Sequence, residues 1–332
     1  MFRHRSYKSV SVEEFNALLD YVRPIYEVVY DAPDCTRTMG RYAYVNEHQT
    51  KVELTFKKGT KVVTYVARLD GRYGDEPDVT GSDAFAIGQR YYKVPERQAN
   101  FSAKPLLYYN PAYEYERMHA YAYDINSAYS TVMYNKRFPD TSVDPHDGIV
   151  TENEIGFNSD GDLVHEGKYA KAIFPLMESP YKRFVETWYN RKKNAKTKKE
   201  RNNAKAVLNY YVGMLQRHNP YLRAFIVNSC SEFIRSHMDD YTLLSNTDSI
   251  ISLHPLDLTI GEELGEWKYE EGEVAYIGHN YQWNMELPKY RGIPKGWFKE
   301  GFDILKDVTP SFGNVYHLDY NTLQVKEEFE VL

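Results

Sequence analysis

Thr242-Leu-Leu-Ser-Asn246-Thr-Asp248-Ser-Ile-Ile-Ser252 is the stretch on which the reading of this chain turns. Leu243-Leu244-Ser245 and Ile250-Ile251-Ser252 read as two strands, with Asn246-Thr247 as the tight turn that joins them. Such a turn projects Asp248 from the tip of a hairpin. Upstream, Tyr121-Ala-Tyr-Asp124 reads as a buried strand that ends at an acid, with a helix starting from Ile125. Backbone N–H groups at a helix N-terminus favour phosphate, and a carboxylate just before them can hold a divalent cation. A lone strand-end aspartate is more often a turn cap. The ordered combination of two such acids around a basic helix is what carries weight.

That helix contains Lys205-Ala-Val-Leu-Asn209-Tyr-Tyr-Val-Gly213. Lys205, Asn209, Val212 and Gly213 fall at i, i+4, i+7 and i+8, which predicts one helix face. Periodicity places helices over roughly 180–194, 198–217 and 221–238, the second ending before Asn219-Pro220. The first two carry Lys182, Arg183, Arg191, Lys192, Lys193, Lys196, Lys198, Lys199 and Arg201. Most residues of such a run face solvent, and one or two of them suit phosphate.

Toward the N-terminus, Ser11 to Glu14 reads as a capping box. Phe15, Leu18, Leu19 and Val22 follow at helical spacing, bounded by Pro24. Strands are predicted over Arg41 to Val45, Lys51 to Phe56 and Lys61 to Ala67, with Lys57-Lys58-Gly59 as a hairpin turn. Asp70 to Asp83 reads as a loop, residues 84–117 as irregular with a short strand into Asp124, and the Asp-, Gly- and Pro-rich residues 138–167 as an exposed excursion.

The 332 residues are 42% hydrophobic, enough for two or more packed subdomains. A net charge of −6 excludes a generally basic coat, so nucleic-acid binding requires a local positive groove. The 31 tyrosines suit stacking on bases and sugars, or ordinary packing with the hydroxyl at the surface. Cys35 and Cys230 form no disulfide or zinc pattern, which fits a reducing cytoplasm. No signal peptide or membrane-spanning run is visible.

Asp124-Ile-Asn-Ser-Ala-Tyr129, Lys205 to Gly213 and Asn246-Thr-Asp248-Ser249, in that order, resemble motifs A, B and C of the family B DNA polymerases, and most closely the protein-primed bacteriophage branch. The resemblance covers roughly residues 105–310. It implies an α+β fold: a right-hand palm of antiparallel sheet with helices, short helical fingers and a small thumb. An N-terminal α/β subdomain over 1–104, palm and fingers over 105–260, and a thumb-like region over 261–332 are expected. Asp124 and Asp248 are implied as ligands of catalytic Mg²⁺, with Mn²⁺ as substitute. Tyr129 is implied to pack under the incoming sugar and exclude a 2′-hydroxyl. Ser127, Lys205, Asn209 and Gly213 are implied as nucleotide contacts, joined by a cation drawn from Arg191, Lys192 and Lys193. His279 and Tyr281 stand where the family has Lys-x-Tyr, and Lys289 before Arg291-Gly292 resembles a further primer-strand landmark; these three are implied DNA contacts. Implied partners are a DNA primer–template, deoxynucleoside triphosphates and a terminal protein as primer.

The departures matter as much. Asn246 stands where the family carries an aspartate, and this reads as a reduction of metal-site charge, natural in a weakened or regulatory polymerase or introduced by engineering. Val212 replaces a tyrosine and His279 a lysine. Family members begin with a 3′–5′ exonuclease that needs an Asp-x-Glu pair on a strand; Asp31 and Asp34 have the wrong spacing, so proofreading is not expected. The implied function is template-directed DNA synthesis by two-metal nucleotidyl transfer. The alternative is a catalytically weakened polymerase-like module that binds nucleic acid in a viral or mobile-element replication complex.

Overall fold

The computed structural model describes residues 5–30, 42–48, 51–58, 61–68, 77–284, 288–292, 302–307, 314–319 and 324–329. In chain order the first elements are β1 (Arg5–Val10), α1 (Val12–Val22), β2 (Glu27–Tyr30), β3 (Tyr42–His48), β4 (Lys51–Lys58), β5 (Lys61–Arg68), α2 (Gly81–Gly88), β6 (Leu107–Tyr109), β7 (Arg117–Ile125) and α3 (Ala128–Asn135). Next come β8 (Phe138–Pro139), β9 (His146–Ile149), β10 (Glu154–Phe157), β11 (Leu163–Val164), β12 (Tyr169–Met177), α4 (Lys182–Lys193), α5 (Lys198–His218) and α6 (Pro220–Arg235). The last are β13 (Thr242–Asn246), β14 (Ser249–Ser252), β15 (Trp267–Ile277), β16 (Asn280–Trp283), β17 (Lys289–Arg291), α7 (Ile304–Asp307), β18 (Asn314–Asp319) and β19 (Gln324–Phe329). Two compact units result: Met1–Glu96 with Pro180–His218, and Arg97–Ser179 with Asn219–Leu332. The first unit joins the helical pair α4–α5 to the N-terminal segment, which the sequence reading kept apart.

In the first unit a mixed five-stranded sheet has the order β1-β5-β4-β3-β2. The predicted strands and helix are present. Ser11 Oγ accepts the Glu14 N–H at 3.0 Å and the Glu14 carboxylate accepts the Ser11 N–H at 2.9 Å, so two helix-end donors are satisfied reciprocally. Phe15, Leu19 and Val22 then pack on Val45, Leu54 and Phe56. In the β4–β5 hairpin Lys58 pairs with Lys61; Gly59 lies outside the described residues, as do Asp31, Asp34 and Cys35. The sequence reading missed β1 and β2. Both are sheet edges, and an edge strand can fold without the apolar alternation that marks a central one.

The reading of residues 77–92 as loop and irregular chain is corrected by α2. Thr80 Oγ1 accepts the Asp83 N–H at 3.1 Å and Asp83 returns a bond to the Thr80 N–H at 3.0 Å. This is a capping box with Asp in the usual Glu position, masked by Gly81 and Gly88. Gly88 has a packing reason: a Cβ there would lie 2.1 Å from Tyr211 Cε2. Tyr211 in turn packs against Phe85, Tyr181 and Phe184 at centroid distances of 5.9, 5.8 and 4.9 Å. Gly88→Ala is therefore expected to cost about 1–3 kcal/mol by overpacking. Urea unfolding checks this; an unchanged midpoint would mean the ring can move away freely.

The second unit holds a seven-stranded sheet in the order β17-β16-β15-β7-β14-β13-β6, antiparallel at every pairing. Its core includes Ala120, Leu243, Leu244, Ile251, Val274, Tyr276 and Trp283. The strand into Asp124 is nine residues long rather than short. A second antiparallel sheet corrects the reading of residues 138–167 as an exposed excursion: β12 pairs with β8, β9 and β10, and β10 with β11. Phe138, Val150, Ile155, Phe157 and Val164 are buried. Here the Asp, Gly and Pro residues mark tight connections between short strands. Among the described residues no helix is long and apolar enough to cross a membrane.

Candidate catalytic face

Strand register assembles the candidate site. Ser249 on β14 and Lys268 on β15 are the cross-strand partners of Asp124 on β7. Directly opposed residues put their side chains on the same face of a sheet. Alternation along β15 and the pairs Tyr276–Tyr281 and Tyr281–Arg291 carry that face on to β16 and β17. Ser245 opposes Ile250, so Asn246 belongs to the same face as Ser249 and Asp124. The opposite face receives α6, where Phe233 stacks on Trp267 at 6.0 Å.

The hairpin tip lies one residue further on than the sequence suggests. Asn246 is the last residue of β13, and Thr247 makes the turn with φ of 62°. The Asp248 N–H donates to Asn246 O at 2.7 Å, and the Ile125 N–H donates to Asp248 O at 2.9 Å. The tip is thereby tied by its backbone to the end of β7. The expected helix after Asp124 begins at Ala128 rather than Ile125, because β7 continues through Ile125 and Ser127 adopts a left-handed φ of 57°. Ser127 makes no side-chain cap on α3.

The electrostatics place four of the implied residues in one neighbourhood. Burial raises the Tyr281 phenol; Asp124 and Asp248 add to the rise, while Arg291, hydrogen-bonded to that phenol, opposes it. Burial likewise raises Tyr129, with Cys230 and Asp248 adding and Arg223 opposing. Burial, then Asp248, pushes the Cys230 thiol up to about 12. Asp248 thus acts on both Tyr129 and Tyr281, and Asp124 on Tyr281.

The oxygen donors suit a hard cation. Asp124 is exposed and Asp248 half-buried. Asn246 is only 2% exposed, and its Oδ1 is buried with no hydrogen-bond partner among the described residues. An orphaned buried amide oxygen costs about 1–3 kcal/mol, and a cation would satisfy it. Among the described residues no cluster of three His, Cys, Asp or Glu side chains could hold a metal; a cation on this face would have to draw on the two carboxylates and the Asn246 amide oxygen. All-oxygen sets of this kind fit Mg²⁺ or Mn²⁺ rather than a softer metal.

Other implied contacts are placed less favourably. His279 is half-buried and packs edge-on against Tyr109 at 4.9 Å. Lys289 is exposed, but its ammonium lies 2.6 Å from the Glu270 carboxylate. Two cations of this face went unread: Lys268, 3.8 Å from the Asp124 carboxylate, and Arg291. Their signal is nonlocal, since only the β15–β16–β17 ladder brings them beside Asp124.

In the first unit, Lys205, Asn209 and Gly213 are exposed along α5. Val212 departs from the expected shared face: it is 2% exposed. At 100° per residue it lies at the core-facing edge of that arc. The neighbouring Tyr211 is fully buried. On α4, Arg191 lies over the Trp188 ring at 4.5 Å and Lys192 over the Tyr189 ring at 5.1 Å, while Lys193 is exposed. Between Lys182 and Lys205 there are ten cations and two carboxylates in a chain of net charge −6, so positive charge is concentrated on this helical pair.

An antiparallel sheet with one acid near the end of a central strand, another at the tip of the adjoining hairpin, and α6 on the opposite face is the α+β architecture that the order of the motifs led us to expect. The chain accordingly superposes on Phi29 DNA polymerase complexed with primer–template DNA, with a TM-score of 0.55 and 11% identity over 87% of this chain and 84% of that one. The ternary complex of that polymerase with primer–template DNA and incoming nucleotide substrates gives 0.53 and 11%, covering 94% of this chain and 87% of that one. Its complex with single-stranded DNA gives 0.51 and 12%, covering 93% and 89%. No protein-family profile and no curated protein sequence matches this chain. The likeness is one of fold.

Proposed function

We propose that this chain is a template-directed DNA polymerase of the family B type, adding deoxynucleotides to a primer 3′ end without proofreading. The observation that supports this most is the juxtaposition of Asp124 near the end of β7 with Asp248 in the turn that leads into the paired strand β14, with both acids acting on Tyr281 and Asp248 also acting on Tyr129. Asp124, Asp248 and the Asn246 amide oxygen would hold Mg²⁺ or Mn²⁺. When bound, two such ions activate the primer hydroxyl and stabilise the departing pyrophosphate. The chain's own groups position the reactants. Tyr129 bounds the sugar pocket. Lys205, Asn209, Ser127, Gly213 and one cation among Arg191, Lys192 and Lys193 serve the nucleotide, and Tyr281 serves the primer end. The partners are a DNA primer–template, deoxynucleoside triphosphates and, as an alternative primer, the hydroxyl of a terminal protein.

Asn246 favours a second reading, a weakened polymerase-like nucleic-acid-binding module, because it removes one negative charge from the donor set. Lys268 removes more by pairing with Asp124. Asn246→Asp separates the two. On the first reading the natural chain extends primers and Asn246→Asp raises turnover roughly tenfold, the effect of about 1.4 kcal/mol. Extension only in Asn246→Asp would establish the weakened module. Extension by neither would reject polymerase activity.

A further inference from the structure

We infer that Lys268 sets how tightly the Asp124 site holds its divalent cation: the ammonium occupies the carboxylate in the free chain and gives it up when the metal enters. The inference rests on the reading of Asp124 as a metal ligand given above. Lys268 is the direct cross-strand partner of Asp124, in a ladder that runs unbroken from Ile125 opposite Trp267 to Arg117 opposite Ala275. That register holds its backbone beside the acid, and its Nζ lies 3.8 Å from Asp124 Oδ2. With the two side chains 51% and 53% exposed, the pair does little for stability. The flexible lysine stem lets the ammonium swing out into water. The contact therefore bears on what else can reach the carboxylate, and hardly on the fold.

The surroundings give the contact its weight. A cleft of about 390 Å³ opens at Asp124, and its charged lining is Asp124, Glu270, Lys268, Lys289 and Arg291, three cations against two acids. Glu270 is taken up by Lys289, at 2.8 and 2.6 Å. Asn246 offers a buried amide oxygen, without a hydrogen-bond partner among the described residues, but no charge. A divalent ion thus depends on the charges of Asp124 and Asp248, and Lys268 offsets half of that sum. Lys268 on β15 and Asn246 on β13 stand on opposite sides of β7, and both lower the negative charge that the ion meets. A unit charge about 5 Å from a divalent ion in water changes its binding about fivefold at about 0.1 M salt. At about 0.01 M, where screening is weaker, the change is about tenfold. Lys268 is therefore a determinant of metal affinity that acts without ligating the metal.

The test is Mn²⁺ binding to the full chain without nucleotide or DNA, followed by the electron paramagnetic resonance signal of the free ion. Lys268→Gln is expected to tighten binding about fivefold at about 0.1 M salt and about tenfold at about 0.01 M. Lys268→Arg keeps the charge and should bind Mn²⁺ like the natural chain. In an Asp124→Asn background, Lys268→Gln should bring no gain. Unchanged Mn²⁺ affinity in Lys268→Gln would overturn the inference. So would equal tightening in Lys268→Arg, a gain that survives Asp124→Asn, or the absence of an Asp124-dependent Mn²⁺ site from every variant. Primer extension by the natural chain separates this inference from the reading beneath it. Extension with unchanged Mn²⁺ affinity in Lys268→Gln removes the role of Lys268 and leaves the polymerase reading standing. Tightening in Lys268→Gln without any extension by the natural chain removes the polymerase reading and leaves the cation site.

Discussion

Asp124→Asn and Asp248→Asn are each expected to lower nucleotide incorporation about a thousandfold, about 4 kcal/mol of barrier, while leaving DNA affinity and thermal stability little changed. The argument rests on what these acids do for the fold. Asp124 is about half exposed, and its pair with Lys268 is 3.8 Å long; exposed pairs of this kind contribute about 0–1 kcal/mol. The Asp248 backbone ties the hairpin tip to β7, accepting from Ile125 and donating to Asn246. Asparagine preserves both bonds. The negative charge is lost, and charge is what the proposed cation site can least spare, because Asn246 already supplies an amide where a carboxylate is expected. Single-turnover incorporation, with a melting curve beside it, checks the prediction. Near-normal rates in either variant would reject the assignment of these acids.

The second large effect is expected at Tyr129. Replacing it with valine should reduce discrimination against ribonucleotides by about 10- to 200-fold, the range set by removing bulk from a closely fitted pocket. Tyr129 is anchored for such a role. It belongs to α3, whose start is fixed by the turn that follows Asp124, and it lies between the influences of Asp248 and Arg223. Arg223 is itself held by the carbonyl of Ala103 at 2.7 Å. Burial raises the phenol, so the group is neutral and discrimination should be flat between about pH 6 and 9. The ratio of kcat/KM for matched deoxy- and ribonucleotides reads this directly. An unchanged ratio in Tyr129→Val would place sugar selection elsewhere.

How much of this was legible in the sequence follows from the range of the interactions involved. Helices α4, α5 and α6 announced themselves by apolar periodicity, and α1 by the Ser11–Glu14 box, because those signals are local. The β13–β14 hairpin was legible as two apolar runs around a turn, but not to the residue: burial of Asn246 depends on its pairing with Leu107 on β6, far away in sequence. The second sheet was hidden because its strands are as short as two residues and are separated by acids and glycines. Helix α2 was hidden because its two glycines weigh against helix, and only the position of Tyr211 explains Gly88. At the proposed site, motif order singled out Asp124, Asp248 and Tyr129. The pairing of Lys268 with Asp124 and of Lys289 with Glu270 needed the ladder that brings those strands together.

The most direct measurement is extension of a labelled primer on a DNA template by the natural chain with Mg²⁺ and deoxynucleotides, with Asp124→Asn in parallel. Template-dependent addition by the natural chain, lost in Asp124→Asn while DNA binding persists, is the result expected here. DNA binding without any addition, or addition that survives Asp124→Asn, would contradict the reading of this face as a polymerase site.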